Sequence, residues 1–419
     1  MSRPGPLDRA RQTRRLLLNE GGAAVLGRVG DRVAKRLSPP GRVRLPVSRE
    51  DLVAASEIAA RGWILPPALP ANPGAPLTVA WVCVPPAPGS GGHTTMFRLV
   101  SALERAGHTC IIYLTDRHGW SIDQHRATVR SWWPDVRAEV RDAAEGIEDA
   151  HAIFATGWST AYPVLASPAK GLRFYLVQDF EPSFHPAGSE SLLAEATYRF
   201  GFHAITAGRW LSELLVRDYG ARADHFEFGC DLDRYSLDRS AQRTGICYYA
   251  RSSKPRRAYE LGITALELFA ERHPEVDIHF YGDGVPQPPF RAVNHGTLTP
   301  EELNGLYNRC VAGLVLSATN VSLVPHEMLA AGCIPVVNDA EHNRIVLDNA
   351  HVVYSGATPF ELAAALSSLV ERDAAERATV IEAAAASVQG RSWDEAGVRV
   401  EQVVRDAVEA ASRPATFAA

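Results

Sequence analysis

Leu77-Thr78-Val79-Ala80-Trp81-Val82-Cys83-Val84 leads straight into Pro85-Pro86-Ala87-Pro88-Gly89-Ser90-Gly91-Gly92-His93, and this junction decides how the chain folds. A near-continuous apolar run of that length suits a strand buried on both faces of a parallel sheet. The Pro/Gly loop opens into a helix with Met96, Leu99, Val100 and Leu103 on one face. Gly107 stops that helix and Thr109–Leu114 supplies the next strand. Ala152–Ala155 and Phe174–Val177 read as later strands of the same sheet, and the polar stretch from Cys230 to Arg243 reads as a linker.

A second series begins beyond the linker. It runs through strand Gly245–Tyr249, a helix from about Arg257 to Arg272, strands Val276–Tyr281 and Gly313–Leu316, a short helix His326–Ala331 and strand Ile334–Val337. Alternating strands and helices of this kind build open parallel sheets. The fold class expected is therefore α/β, with two Rossmann-like parallel-sheet domains facing a central cleft and a helical N-terminal extension. The expected boundaries are 1–65 for a basic helical extension, 70–238 for a first domain and 239–392 for a second. Residues 393–419 would form a C-terminal helix crossing back, with Val400, Val403, Val404, Ala407 and Ala411 on one face. Ligands in such sheets bind at the C-terminal ends of strands, so two facing sheets share one cleft.

The 419 residues are 46% hydrophobic and 22% charged, ordinary values for a folded enzyme, and the formal net charge is −5. Residues 1–42 hold ten Lys/Arg and three Asp/Glu, a local +7 that leaves −12 for the remainder. Leu18, Val25, Val29, Val33 and Leu37 fall among those arginines at mostly helical spacing. Such a segment suits either peripheral contact with an anionic membrane or a solvated helix. No run approaches the ~20 apolar residues of a membrane span, and no signal-peptide core precedes the domains, so a cytoplasmic protein is expected. The six cysteines (Cys83, Cys110, Cys230, Cys247, Cys310 and Cys333) are dispersed and read as buried free thiols. No nucleic-acid partner is expected.

Three clusters carry candidate chemistry. Gly91, Gly92 and His93 sit where a glycine loop enters a helix, so backbone can approach a diphosphate and free N–H groups favour an anion. Arg251, Arg256 and Arg257 leave the first strand of the second sheet, placed to neutralise a diphosphate leaving group. Ser317-Ala318-Thr319-Asn320-Val321-Ser322-Leu323-Val324-Pro325-His326-Glu327 is a polar loop ending in a carboxylate on a short helix, where Glu327 either accepts from sugar hydroxyls or caps its own helix. Asp179 and Glu181, after a first-half strand, are candidate acceptor-side carboxylates or loop caps.

Tyr281-Gly282-Asp283-Gly284, then Gly296-Thr297-Leu298 with Glu301-Glu302-Leu303 and Leu306-Tyr307, then Leu316-Ser317 and Glu327-Met328-Leu329-Ala330-Ala331-Gly332-Cys333-Ile334-Pro335-Val336-Val337 resemble the donor half of family 4 retaining glycosyltransferases of GT-B fold. The likeness extends back through Phe228-Gly229-Cys230-Asp231-Leu232-Asp233-Arg234-Tyr235 to Gly91-Gly92. Val177-Gln178-Asp179-Phe180-Glu181-Pro182, Tyr249-Ala250-Arg251 and Thr319–Glu327 are similar to WsaF-type rhamnosyltransferases of surface-glycan assembly.

The resemblance implies transfer of a sugar from a nucleotide donor to a glycan, lipid-linked or small-molecule acceptor, with retention of anomeric configuration. By it, Gly91, Gly92, Arg251 and Arg257 face the diphosphate, Glu327 the ribose and Gly296, Thr297 and Leu298 the base, with His93 also in the donor site. Gly282, Thr319, Asn320, Ser322 and Leu323 complete the donor site, and Arg251, Arg257, Glu327 and Asp179 carry catalysis. The family commonly has two glutamates eight positions apart, and here Thr319 occupies the place of the first. A smaller neutral Thr319-Asn320 pair suits a deoxy sugar such as L-rhamnose on thymidine diphosphate. Asp231-Leu232-Asp233 imitates a metal-binding D-x-D, but its place in the matched segment argues against that, and neither a metal nor another cofactor is expected. Two rivals remain: a non-catalytic sugar-nucleotide-binding scaffold, suggested by Thr319, and a nicotinamide-dependent sugar-nucleotide oxidoreductase, which lacks a good fingerprint here.

Overall fold

The computed structural model describes residues 45–87, 90–116 and 120–412. Two units divide between Pro46 and Val47, and every strand and helix below belongs to the second. The basic segment around Leu18–Leu37, with the membrane contact expected of it, lies outside the described residues.

The first sheet contains β1 (Thr78–Cys83), β2 (Thr109–Leu114), β3 (Glu139–Asp142), β4 (Ala152–Ala155), β5 (Leu172–Val177), β6 (His203–Ala207) and β7 (Ala223–Phe226). All seven are parallel, in the order β3-β2-β1-β4-β5-β6-β7. Its middle is fixed by an aromatic ladder. Trp81, Phe154 and Phe174 occupy matching register positions on β1, β4 and β5, and their rings stack at 4.1 and 4.9 Å. His203 of β6 continues the stack at 5.2 Å from Phe174. A one-residue slip of any strand would turn its ring to the opposite face, so the ladder pins register as well as burying area.

The second sheet contains β8 (Gly245–Ala250), β9 (Asp277–Gly282), β10 (Val293–Asn294), β11 (Cys310–Leu314), β12 (Ile334–Asn338) and β13 (Val353–Ser355), parallel in the order β10-β9-β8-β11-β12-β13. Strand order reverses between β1 and β4 in one sheet and between β8 and β11 in the other. Those reversals open crevices at strand C-terminal ends. The glycine loop follows β1, the arginines follow β8 and the Ser317–Glu327 segment follows β11, so all three candidate clusters lie at switch points.

Several boundaries differ from expectation. The helix after β8 is Tyr259–Arg272, because Pro255–Arg257 form a separate 3-10 turn closed by Ala258 at φ 47°. The short helix is Val324–Ala330. Within the expected N-terminal extension, Arg49–Ala60 form a helix capped by Ser48 and packed on the helix Trp158–Ala166 of the first half. The carboxyl end of Trp158–Ala166 is closed by the buried Arg173, whose guanidinium donates to the carbonyls of Val164, Ser167, Ala169 and Gly171. All six cysteines are free and buried. Among the described residues no helix is long and apolar enough to cross a membrane.

The helix Trp393–Ser412 packs on the first-half helix Gly91–Arg105. Its buried face carries Gly397, Val400, Val403, Val404, Ala407 and Val408, while Ala411 is exposed. The two helices come close because Gly397 has no side chain: a Cβ there would lie 2.5 Å from Ala102 Cβ. Gly397→Leu is therefore expected to push the crossing apart and lower stability by about 1–3 kcal/mol, read as a lower midpoint in urea unfolding. An unchanged midpoint would show that this crossing does not limit stability.

Candidate functional site

The first-half crevice is built on the N-terminus of the helix Gly91–Arg105. Its N-cap, Ser90, makes no side-chain capping bond, because its hydroxyl lies 2.8 Å from His93 Nδ1. His93 Nε2 lies 3.0 Å from the carbonyl of Val84 and must donate to it, so Nδ1 accepts from Ser90. Burial lowers the His93 pKa, in keeping with this neutral ring. His93 thus braces the loop from within, and the N–H groups of Gly91, Gly92 and His93 donate to no described acceptor. A helix end left open in this way attracts negative charge.

Glu181 lies on the same rim. Its Oε2 accepts from the Trp158 N–H at 2.5 Å and from the Tyr175 hydroxyl at 3.0 Å, so it caps the neighbouring helix. Withdrawal from water pushes its carboxyl up to about 7.

Three arginines follow β8, each in a different setting. Arg251 pairs through Nε with Asp283 Oδ1 at 3.0 Å and leans on the Tyr249 ring at 5.7 Å. Gly282, at φ 116°, makes that approach possible, since a Cβ would fall 2.6 Å from the Ala250 carbonyl and 2.9 Å from Arg251 Cδ. Arg256 lies across the Phe184 ring at 4.5 Å and pairs with Asp179 Oδ2 at 3.2 Å. Arg257 is 8% exposed. It donates to Ser317 Oγ at 2.8 Å and is 3.5 Å from the Asn320 carbonyl, and it forms no ion pair among the described residues. Burial, then the charges of Arg256 and Arg251, lower its pKa against an opposing pull from Asp179. A buried guanidinium short of negative charge is a site for an anion.

The loop after β11 is held in place by backbone and amide bonds. Asn338 binds both the N–H and the carbonyl of Ser317 at 2.8 Å, and His342 Nε2 meets the same carbonyl at 2.8 Å. The Ala318 N–H donates to the Arg256 carbonyl at 2.8 Å. Two buried hydroxyls, Thr319 Oγ1 and Ser322 Oγ, have no hydrogen-bond partner among the described residues. The N–H groups of Ser322 and Leu323 donate to no described acceptor.

Glu327, half-buried on the helix Val324–Ala330, takes part in no hydrogen bond or ion pair of its carboxylate among the described residues. Loss of water and then the charge of Asp231 push its carboxyl up to about 7, against a smaller opposite pull from Arg98. Arg98 itself is ion-paired with Asp231 and stacked 4.4 Å above the Trp393 ring. At the outer edge the Gly282 N–H donates to the Gly296 carbonyl at 2.8 Å and Thr297 Oγ1 donates to the Gly282 carbonyl at 3.1 Å, with Leu298 partly buried beside them.

The structure therefore gathers Gly91, Gly92, Arg251, Arg257, Thr319, Ser322, Leu323 and Glu327 onto switch-point loops, with Gly282, Gly296, Thr297 and Leu298 on the adjoining edge. Three expected roles are altered by geometry. The ring nitrogens of His93 are engaged within its own loop. The Asn320 amide is engaged as well: Nδ2 donates to the carbonyls of Gln178 and Ala207, and Oδ1 accepts from the Val321 N–H. Both oxygens of Asp179, expected on the acceptor side, are engaged across the domain boundary: Oδ1 accepts from the Asn320 N–H at 2.8 Å and Oδ2 pairs with Arg256 at 3.2 Å. Ser317, Gln178, Arg98 and Asn338 were not singled out as site residues from sequence; only Gln178 and Ser317 lay inside quoted motifs.

Two parallel-sheet Rossmann-like domains with this strand order and facing crevices constitute the GT-B fold, and solved structures agree. TarM superimposes with a TM-score of 0.66 at 9% identity over 80% of this chain and all of that one. Alr3699/HepE of Anabaena, in complex with UDP-glucose, gives a TM-score of 0.61 at 14% identity over 80% of this chain and 100% of that one. Residues 244–367 match the family described as WsaF, C-terminal domain. The O-antigen biosynthesis protein RfbC of Myxococcus xanthus is 34% identical over 270 residues, 62% of this chain. The chain spans 21% of the length of that relative.

The carboxyl of Glu327 gives a stability test. The folded state keeps a proton up to about 7 that an ordinary glutamate releases near 4.5, so stability is full below that value and falls as pH rises towards 7. In Glu327→Gln the decline in urea-unfolding free energy across this range should be shallower than in the wild type. Equal slopes would place this carboxyl in water.

Proposed function

We propose that this chain is a glycosyltransferase of glycan assembly that moves a sugar from a nucleoside diphosphate donor bound mainly by the second half. One observation carries the reading: Arg257 is buried at the second sheet's switch point and forms no ion pair among the described residues, while a helix N-terminus without a side-chain cap stands at the switch point of the first. A diphosphate supplies the charge both sites lack. The matched WsaF C-terminal domain and the O-antigen biosynthesis relative support the same assignment.

In the proposed reaction the bond between the anomeric carbon and the β-phosphate oxygen breaks, and the acceptor oxygen forms its bond to that carbon. The acceptor proton leaves with the nucleoside diphosphate. Arg257, with Arg251 beside it, stabilises charge developing on the leaving group, the role a metal plays elsewhere. Asp231 of the D-x-D imitation is engaged by Arg98, which supports a metal-independent reaction. Glu327 accepts from the ribose hydroxyls in its ionised form. Retention of configuration rests on the resemblance to family 4 enzymes. Glu181, with one oxygen holding the first-half rim, is the proposed acceptor-side carboxylate.

The donor is proposed to be a deoxy sugar, L-rhamnose on thymidine diphosphate. Thr319 Oγ1 and Ser322 Oγ offer two neutral, unpartnered groups where the family commonly offers a carboxylate, and a sugar with one hydroxyl fewer matches that reduced set.

Arg257→Lys should weaken binding of nucleoside diphosphate by about tenfold or more, as expected when a buried charge-assisted bond is lost, measured by calorimetry beside turnover. Unchanged binding with unchanged turnover would remove Arg257 from the site. Across a panel of nucleotide sugars, a thymidine-diphospho-deoxy-sugar should give the largest thermal stabilisation. Equal or better stabilisation by UDP-glucose would overturn the deoxy-sugar assignment.

A further inference from the structure

A relay of hydrogen bonds runs between the two crevices. Gln178 Nε2 donates to the Gly92 carbonyl at 3.0 Å, on the helix turn that carries the free N–H groups. The Gln178 carbonyl accepts from Asn320 Nδ2 at 2.9 Å, and the Ala207 carbonyl, at the end of β6, accepts from the same amide at 2.8 Å. Asp179 Oδ1 receives the Asn320 N–H at 2.8 Å while its other oxygen meets Arg256 at 3.2 Å. The Asn320 carbonyl in turn accepts from Ser317 Oγ at 2.8 Å and lies 3.5 Å from Arg257 Nη1. Gln178, Asp179 and Ala207 belong to the first half; Arg256, Arg257, Ser317 and Asn320 belong to the second. Asp179 is 9% exposed and Asn320 1%.

From this we infer that Asp179 and Asn320 are positioning residues, a cross-domain clamp that fixes the open helix end at Gly91–His93 relative to the Arg257 guanidinium. The inference rests on the proposed diphosphate site only for its consequence, not for its geometry. A buried amide whose two hydrogens go to two carbonyls of another domain defines distance and orientation together. The surrounding contacts lie along the same line. The Trp210 ring is 5.2 Å from His342, which also holds Ser317, and a Cβ on Gly208 would lie 3.0 Å from Val346. The clamp thus sits in packed surroundings, with Asn320 itself buried. A diphosphate touches both halves, whereas a nucleoside needs only the second, so the clamp adds to affinity for the former alone.

The test uses the full chain with spin labels at Leu192→Cys in the first half and Phe360→Cys in the second, both 67% exposed. The six native cysteines are buried and do not compete for label. Double electron–electron resonance should give one narrow distance distribution, broadened in Asn320→Ala. Asp179→Asn retains an acceptor for the Asn320 N–H but loses the charge facing Arg256; it should broaden the distribution less, and it decides the matter if Asn320→Ala does not fold. In parallel, calorimetry compares UDP or dTDP, whichever the wild type binds more tightly, with its nucleoside. The ratio of the two affinities should fall by about tenfold in Asn320→Ala, with nucleoside binding unchanged. Unbroadened distances, or broadened distances with an unchanged ratio, would overturn the clamp. If the wild type binds neither nucleotide, the glycosyltransferase reading fails, and the distance distributions alone then judge the clamp.

Discussion

Arg257 imposes the condition that the second half of the cleft is built to meet. A guanidinium taken out of water next to two further arginines raises the free energy of the folded chain unless donors, acceptors and a counter-charge are arranged round it. Ser317 supplies the acceptor, and Ser317 is itself held by Asn338 and His342, which fixes the route of the loop after β11. The counter-charge comes only indirectly, from Asp179 across the domain boundary. The free protein is therefore left short of negative charge at one place, and a ligand bringing that charge stabilises the native state by mass action.

Glu327 is governed by the opposite imbalance. Its carboxyl has Asp231 near it and a nest of Tyr235, Tyr281 and Tyr307, whose own ionisation it opposes. Arg98 relieves part of this, but Arg98 arises on the helix that begins at Gly91 and is stacked on Trp393. One carboxyl thus senses the helix that begins at Gly91, the interdomain linker and the start of the returning helix. Arg257 and Glu327 thus carry opposite imbalances of charge within the second half.

Much of the fold was legible because the strands at the switch points, Thr78–Cys83 and Gly245–Ala250, are apolar enough to read as buried parallel strands. Glu139–Asp142 and Ala223–Phe226 carry no such signal: each has four residues, charged ones among them, and lies at a sheet edge. His203–Ala207 is not legible in the sequence although all five residues are buried, because a run so short, opened by histidine, carries no period to distinguish it from a loop. For the site, residue types and their loops were visible, and so were Arg257 and Glu327. The partners of Asp179 and Asn320 were not. They lie about 140 positions apart, and no local spacing reports a hydrogen bond between two domains. The same holds for His93, whose chemistry suggested a ligand contact and whose neighbours Val84 and Ser90 claim both nitrogens.

The helix Trp393–Ser412 completes the packing of the helix Gly91–Arg105, although almost three hundred residues separate them in sequence. During synthesis at roughly 5–20 residues per second, the first half waits on the order of tens of seconds with that flank uncovered. The half that is made first is the one that finishes last. Vectorial folding of this chain is a circuit rather than a queue, and the open flank is where a chaperone would find the nascent protein during that interval.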